Sequence, residues 1–235
     1  MAEKMILVVD DEKSIRDAVT FYMKREGFGV IPAKDGAEAL EIFESSHVDL
    51  VILDIMMQGY GGFEVCSAIR DKNSTLPIIM LSAKSDLVDK SLGFKLGADD
   101  YITKPFEPAE LVMRVNSCLR RSQAFVSEGA SDNESAGATI VLGDLVIDTR
   151  TRQVTAQGKR LDLTAKEYGI LLLLAQHPNA VFTRQQILDA VWGYEYYGSA
   201  GVVAVFIRKL REKIEANPSK PIHIVTEWGV GYRIV

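Results

Sequence analysis

The sequence predicts an α/β fold in two domains: a doubly wound, five-stranded parallel sheet, then a smaller domain of short strands and three helices. Three observations lead there. Short apolar runs alternate with amphipathic stretches through the first half of the chain. A segment rich in Ser, Ala and Gly, SQAFVSEGASDNESAGAT, breaks that pattern at residues 122–139. Beyond it the order changes to strands, then helices, then a closing hairpin.

The apolar runs at residues 5–10, 28–33, 49–54, 77–82 and 100–103 read as strands. Near-continuous runs such as LVIL and IIML suit strands covered on both faces by helices. Helical patterns lie at about 13–26, 35–45, 62–71, 86–96 and 107–121. Strict alternation of strand and helix implies a parallel sheet, and right-handed crossovers make it doubly wound. Residues 122–139 have too little apolar content to offset the entropy of ordering, so a flexible linker is expected between domains at 1–121 and 140–235. In the second domain, 140–148, 152–156 and 159–162 read as antiparallel strands, and 164–176, 183–192 and 199–216 as helices. Thr164 with Glu167, and Thr183 with Gln186, have capping-box spacing. Two last strands, 222–226 and 232–235, are joined by Glu227-Trp228-Gly229-Val230-Gly231. Three helices followed by a glycine-tipped hairpin outline a winged helix-turn-helix.

Composition excludes several classes. Hydrophobic residues are 47% and charged residues 25%, a globular balance. No apolar run approaches a membrane span. The apolar residues 5–9 are cut off by Asp10, Asp11 and Glu12, which rules them out as a signal-peptide core, so a cytoplasmic protein is expected. Cys66 and Cys118 read as small buried hydrophobes, and His47, His177 and His223 are isolated, so no His/Cys metal site is expected. Residues 1–125 carry 15 bases and 20 acids, whereas residues 139–235 carry 12 bases and nine acids. An acidic front and a mildly basic back suggest different partners for each.

The first strand runs into Asp10-Asp11 and the third ends at Asp54. In an open parallel sheet the ligand crevice lies beyond the carboxyl ends of the strands, where strand order reverses. Three carboxylates crowded there call for a cation, and oxygen ligands with room for water and phosphate suit Mg²⁺. The fourth strand ends at Ser82 and the fifth is followed by Lys104-Pro105, so a hydroxyl and an ammonium aim at the same crevice. Such a set suits phosphoryl transfer to an aspartate nucleophile.

The stretches VVDDE, LDIMM, MLSAK and DDYITKPF, in that order, resemble the receiver domain of two-component response regulators over about residues 4–121. The resemblance implies that Asp54 is the phosphoacceptor, with Asp10 completing the acidic pocket. It implies that Asp11 and Asp54 hold Mg²⁺ by side chain and Met56 by its backbone carbonyl. Ser82 becomes the switch hydroxyl, Tyr101 the switch aromatic and Lys104 the phosphate-binding lysine. A sensor histidine kinase would supply the phosphoryl group. Gln58-Gly59 stands where the family usually has Pro-Gly, and Gly61-Gly62 where Asp-Gly is common, so a more pliable loop is expected.

Residues 140–235 resemble the winged-helix output of the OmpR/PhoB-like subfamily, through LTAKEYGILLLLAQHPNAVFTRQQIL, AVWGY, IRKLREKIE and TEWGVGYRIV. In that subfamily the receivers dimerise when phosphorylated. The matching pairs here would be Lys90–Glu110, Asp100–Arg114 and Asp99–Arg121 across a two-fold axis, on the helices at 86–96 and 107–121 and the strand between them. The helix from about Ser199 would enter the major groove and the wing the minor groove. The family's polar and basic positions at the start of that helix are Ala200, Gly201, Val202, Ala204 and Phe206 here. Selectivity is therefore expected from Val202, Val203 or Phe206 against thymine methyls or from groove shape, the alternatives being a protein partner or a variant with reduced DNA affinity. Arg208, Lys209 and Arg211 are expected to contact phosphates as readily as bases, and Gly229, Gly231, Tyr232 and Arg233 to bring the wing to the DNA.

The expected function is a phosphorylation-activated, DNA-binding transcription regulator with Mg²⁺ as cofactor, a histidine kinase and DNA as partners, and RNA polymerase as a further contact. The rival is a phospho-dependent protein-interaction regulator with weak or degenerate base readout, supported by the apolar start of the recognition helix. An enzyme with an aspartate nucleophile is disfavoured, because no substrate-binding cap is present beside the DNA-binding outline.

Overall fold

The structure, a computed structural model, describes residues 3–83, 93, 96–127, 139–193 and 199–235, with residues 120–127 as backbone alone. The chain divides into two compact units, Met1–Ser122 and Gln123–Val235.

In the N-terminal unit the strands β1 (Met5–Val9), β2 (Gly29–Ala33), β3 (Leu50–Asp54), β4 (Ile78–Ala83) and β5 (Asp100–Lys104) form one sheet in the order β2-β1-β3-β4-β5. All neighbours are parallel. Helices α1 (Lys13–Arg25), α2 (Gly36–Ser45), α3 (Gly62–Lys72) and α4 (Pro108–Ser127) connect or follow them. One sheet face packs Ile6, Val8, Leu50, Ile52, Ile79, Leu81 and Ile102 against Val19 and Met23 of α1 and Leu111 and Val115 of α4. The alternate residues Leu7, Val9, Val51, Leu53, Ile78 and Met80 are equally buried, so the central strands are covered on both sides, as their apolar runs require. Pro32 sits in β2, an edge strand, where its missing donor breaks no ladder. The helix expected at 86–96 lies outside the described residues except at Gly93 and Leu96. Helix α4 runs past residue 121 into the stretch read as linker; the rest of that stretch, 128–138, lies outside the described residues.

The C-terminal unit opens with an antiparallel sheet of β6 (Thr139–Leu142), β7 (Leu145–Asp148), β8 (Gln153–Ala156) and β9 (Lys159–Leu161). Helices α5 (Ala165–Ala175), α6 (Arg184–Trp192) and α7 (Val202–Ile214) follow, and both expected capping boxes form. A two-residue strand, β10 (Phe182–Thr183), precedes α6. The chain closes with β11 (Ile224–Glu227) and β12 (Gly231–Ile234), an antiparallel hairpin, and β10 joins β12 on its far side. At the β10–β12 pair a Cβ on residue 231 would stand 1.9 Å from the Phe182 carbonyl oxygen, so only glycine fits.

Candidate functional site

The strand order reverses between β1 and β3, and the pairing of Val9 with Leu53 sets the ends of those strands side by side. Asp10, just past β1, and Asp54, the last residue of β3, therefore share the crevice, with exposed Asp11 beside them. One carboxylate oxygen from each of the three lies within 4.8 Å of the others. Lys104 closes β5 two strands away and reaches across. Its Nζ donates to Asp10 Oδ2 at 2.7 Å and lies 2.9 Å from Asp54 Oδ1. The second Asp10 oxygen accepts the Glu12 N–H at 2.9 Å. Arg16, which the sequence pattern did not single out, donates to the Asp10 carbonyl at 2.6 Å and fixes the strand end.

Asp10 and Asp54 are almost fully buried. Burial pushes the Asp54 carboxyl above the usual carboxylate range; the Lys104 hydrogen bond and charge pull it down, and the Asp10 charge adds to the rise. Burial works to lower the Lys104 pKa, but its bonds and charge contacts with Asp10 and Asp54 outweigh that and raise it. Three carboxylates against one ammonium leave a net charge of about −2, a donor set of hard oxygens that fits a divalent cation. The turn after β3 is held by a close approach. A Cβ on residue 62 would lie 2.1 Å from the Asp54 carbonyl oxygen, so Gly62 is the residue that lets α3 start there. Gly59 has φ 81, a conformation that favours glycine. Met56 leads this turn with its side chain exposed.

Ser82 is buried, and its Oγ donates to the Ala83 carbonyl at 3.0 Å. Tyr101 is also buried, its ring against Gly93, where a Cβ would lie 2.6 Å from Tyr101 Cε2. Of the six residues expected on a dimer face, Lys90 and the side chain of Arg121 lie outside the described residues. The charges of the other four are engaged within the chain. Asp99 is buried, and its Oδ2 accepts Arg70 Nη2 at 2.8 Å and the Ile78 N–H at 3.0 Å. Arg70 also donates to the Gly97 and Leu76 carbonyls, tying the end of α3 to the entry of β5. Arg114 donates to Asp100 Oδ1 at 2.8 Å and to Glu110 Oε1 at 2.6 Å. Burial alone would lower the Arg114 pKa, but these carboxylates raise it above its ordinary value.

The recognition helix α7 corrects the expected groove contacts. Val202, Val203, Phe206, Ile207, Leu210 and Ile214 form the buried stripe, with helical spacing, that docks α7 on its own domain. Phe206 is fully buried and meets Trp192 edge-to-face, with ring centroids 5.2 Å apart. Val202 and Phe206 therefore cannot face thymine methyls. The outward residues include Gly201, Ala204, Val205, Arg208 and Glu212, with Lys213 exposed near the helix end. Arg208 is exposed and pairs with Glu212 at 2.9 Å. Lys209 and Arg211, expected on phosphates, are engaged inside the domain. Lys209 Nζ lies 3.4 Å from Glu167 Oε1, and Lys213 Nζ 2.6 Å from Glu167 Oε2. Burial pushes the Glu167 carboxyl up, but Lys213 and Lys209 hold it below the usual range. Arg211 donates to the Ile224 carbonyl and to Thr226 Oγ1, riveting α7 to the wing.

On the wing, Tyr232 is buried and Gly231 is pressed on Phe182, so neither is open to a partner; Gly229, φ 77, turns the tip. Arg233 bonds Glu227 at 2.6 Å. Two residues were missed from sequence. Trp228, at the tip, is 91% exposed, and Arg184, exposed at the start of α6, lies 5.9 Å from the Tyr232 ring centroid.

Residues 6–116 match the family model described as response regulator receiver domain, and residues 158–234 that described as transcriptional regulatory protein, C terminal. The chain is 35% identical to the response regulator DrrB, an OmpR/PhoB homolog of Thermotoga maritima, with 99% of each chain covered and a TM-score of 0.52. It shares its fold with a cysteine-to-serine mutant of RitR at 24% identity, 99% coverage of each chain and a TM-score of 0.80. Among the described residues no helix is long and apolar enough to cross a membrane. The protein belongs to the OmpR/PhoB family of response regulators, with a receiver domain followed by a transcriptional regulatory domain.

Proposed function

We propose that this protein is a phosphorylation-activated transcription regulator whose phosphoacceptor is Asp54. The observation that carries the reading is the Asp54 carboxylate at the end of β3, held by Lys104 beside Asp10 and Asp11. A sensor histidine kinase is the natural donor. An Asp54 carboxylate oxygen attacks phosphorus, the P–N bond to the kinase histidine breaks, and an acyl phosphate forms on Asp54. Lys104 stays an ammonium and pairs with the incoming phosphoryl oxygens. The Ser82 hydroxyl exchanges the Ala83 carbonyl for one of those oxygens. Asp11 and Asp54 by side chain, and Met56 by its backbone carbonyl, would hold Mg²⁺, which supplies neutralisation of the crowded negative charge.

The metal reading has its own test. Mg²⁺ that binds only the folded receiver raises its stability by about 1.4 kcal/mol at ten times its Kd. Thermal melts should show that rise, and Asp11→Asn should remove most of it. A rise of equal size in Asp11→Asn places the ion elsewhere.

Phosphorylation then favours a homodimer through β5, α4 and the segment between β4 and β5. The phosphoryl group adds about −2 charge and strong acceptor oxygens, and a shift of Ser82 toward them reshapes the neighbouring edge around Tyr101. Because Arg114 already pairs with Asp100 and Glu110 in one chain, dimerisation exchanges partners rather than creating ion pairs from free charges. Arg114→Asp should therefore weaken the dimer and also destabilise the receiver itself, by about 3–5 kcal/mol, since it strands a buried carboxylate. The swap with Asp100→Arg should recover part of both losses. Urea melts and sedimentation read the two effects separately; an unchanged monomer fraction in phosphorylated Arg114→Asp excludes this face.

The output is DNA binding, with RNA polymerase as a further contact. The outward face of α7 offers Gly201, Ala204 and Val205, and, among its described residues, two exposed cations, Arg208 and Lys213, of which Lys213 is held by Glu167. That favours weak base readout on the helix, the feature that a protein-interaction output would also show. Gel shifts on the protein's own upstream region decide between the two: no retardation, with or without phosphodonor, leaves the protein-interaction reading.

A further inference from the structure

The wing hairpin ends in Trp228, Gly229 and Val230 between β11 and β12. Trp228 is 91% exposed and Val230 56%, so the tip is an apolar projection into solvent. Indole in water forgoes a large burial, which marks it as a contact residue. The tip is also rigidly presented. The Val230 N–H donates to the Glu227 carbonyl at 3.0 Å, and Arg233 holds the Glu227 side chain at 2.6 Å. Gly231 is wedged against Phe182, and Arg211 ties β11 to α7 through Ile224 and Thr226. Meanwhile the outward face of α7 offers Arg208 for bidentate base contact, and its other exposed cation, Lys213 near the helix end, is held by Glu167.

We infer that Trp228 is the specificity-determining residue of the output domain: an aromatic wedge that enters the minor groove and prefers easily unstacked pyrimidine–purine steps. Apolar side chains on minor-groove elements insert between base steps, and TA and CA/TG steps yield most readily. The occupant is DNA rather than protein for two reasons. Two apolar residues on a hairpin tip fall far short of the roughly 800 Å² per partner of a stable protein interface. Exposed Arg184 beside Tyr232 at the wing's base, in a region with 12 bases against nine acids, supplies a backbone-phosphate contact next to the wedge. This rests on the reading that the output domain binds DNA.

The test uses the full chain, Trp228→Ala and Trp228→Phe, and two duplexes at one salt concentration. One duplex is rich in TA and CA steps; the other pairs an all-purine strand with its complement and has no pyrimidine–purine step. Base–aromatic stacking corresponds to about a tenfold to hundredfold change in affinity. The unaltered chain should prefer the step-rich duplex by about that factor. Trp228→Ala should lose the preference while keeping its affinity for the purine tract, and Trp228→Phe should retain part of it. The difference in emission between the unaltered chain and Trp228→Phe, which share buried Trp192, should be quenched by the step-rich duplex. A preference that survives Trp228→Ala, or emission unchanged at saturating duplex, overturns the wedge. Binding of neither duplex by any of the proteins at low salt removes the DNA-binding reading, and the wedge with it.

Discussion

Asp54→Asn is expected to reduce phosphoryl incorporation from a small phosphodonor with Mg²⁺ to background. The amide that replaces the carboxylate is not a nucleophile, and no neighbour can take over. Asp10 has no solvent exposure, with one oxygen on Lys104 and the other on the Glu12 N–H. Asp11 lies beyond the strand end and is exposed, and the Lys104 ammonium that would hold the phosphoryl oxygens pairs with Asp10 and Asp54. The label on the unaltered chain should be released by hydroxylamine, as an acyl phosphate is. Label that persists in Asp54→Asn, or resists hydroxylamine, places the phosphate on another residue.

Phe206→Ala is expected to unfold much of the output domain rather than to alter its choice of DNA. The ring is fully buried against Trp192, and removal of a buried Phe costs about 3–5 kcal/mol, a large share of a stability of roughly 5–15 kcal/mol. Calorimetry should show the loss in the output transition alone, with phosphoryl incorporation at Asp54 unchanged. Val205→Ala, on the outward face of the same helix, should leave that transition within about 0.5 kcal/mol. A stable Phe206→Ala protein with altered sequence preference would reverse the assignment of the two faces.

That reversal of faces marks where sequence reasoning stopped. The carboxylate site was legible because topology alone puts strand ends together: Asp10 and Asp54 had to meet once β1 and β3 were neighbours. The sheet was legible for the same reason, in apolar runs too continuous for a half-exposed strand. From their place at the start of a recognition helix, Phe206 and Val202 read as groove-facing. Their spacing with Val203, Ile207, Leu210 and Ile214 is a core stripe, a signal present in the sequence and outweighed there by analogy. Other features carry no local signal. Arg70 meets Asp99 across 29 positions, and Lys209 meets Glu167 across the helix pair, so only the fold reveals that these charges have partners. The two-residue β10 is too short for any periodicity. The sequence places Trp228 in the connection of the closing hairpin, but only the structure shows that its indole stands in solvent there.

The most direct measurement of the link between the crevice and the wing is a titration of the full chain with its own upstream DNA, before and after treatment with a small phosphodonor and Mg²⁺, with sedimentation in parallel. Phosphorylation is expected to raise affinity by about 5–150-fold, the usual range of coupling between two sites, and to shift the chain from monomer to dimer, with neither change in Asp54→Asn. Equal affinity and equal mass before and after stoichiometric phosphorylation of Asp54 would contradict it.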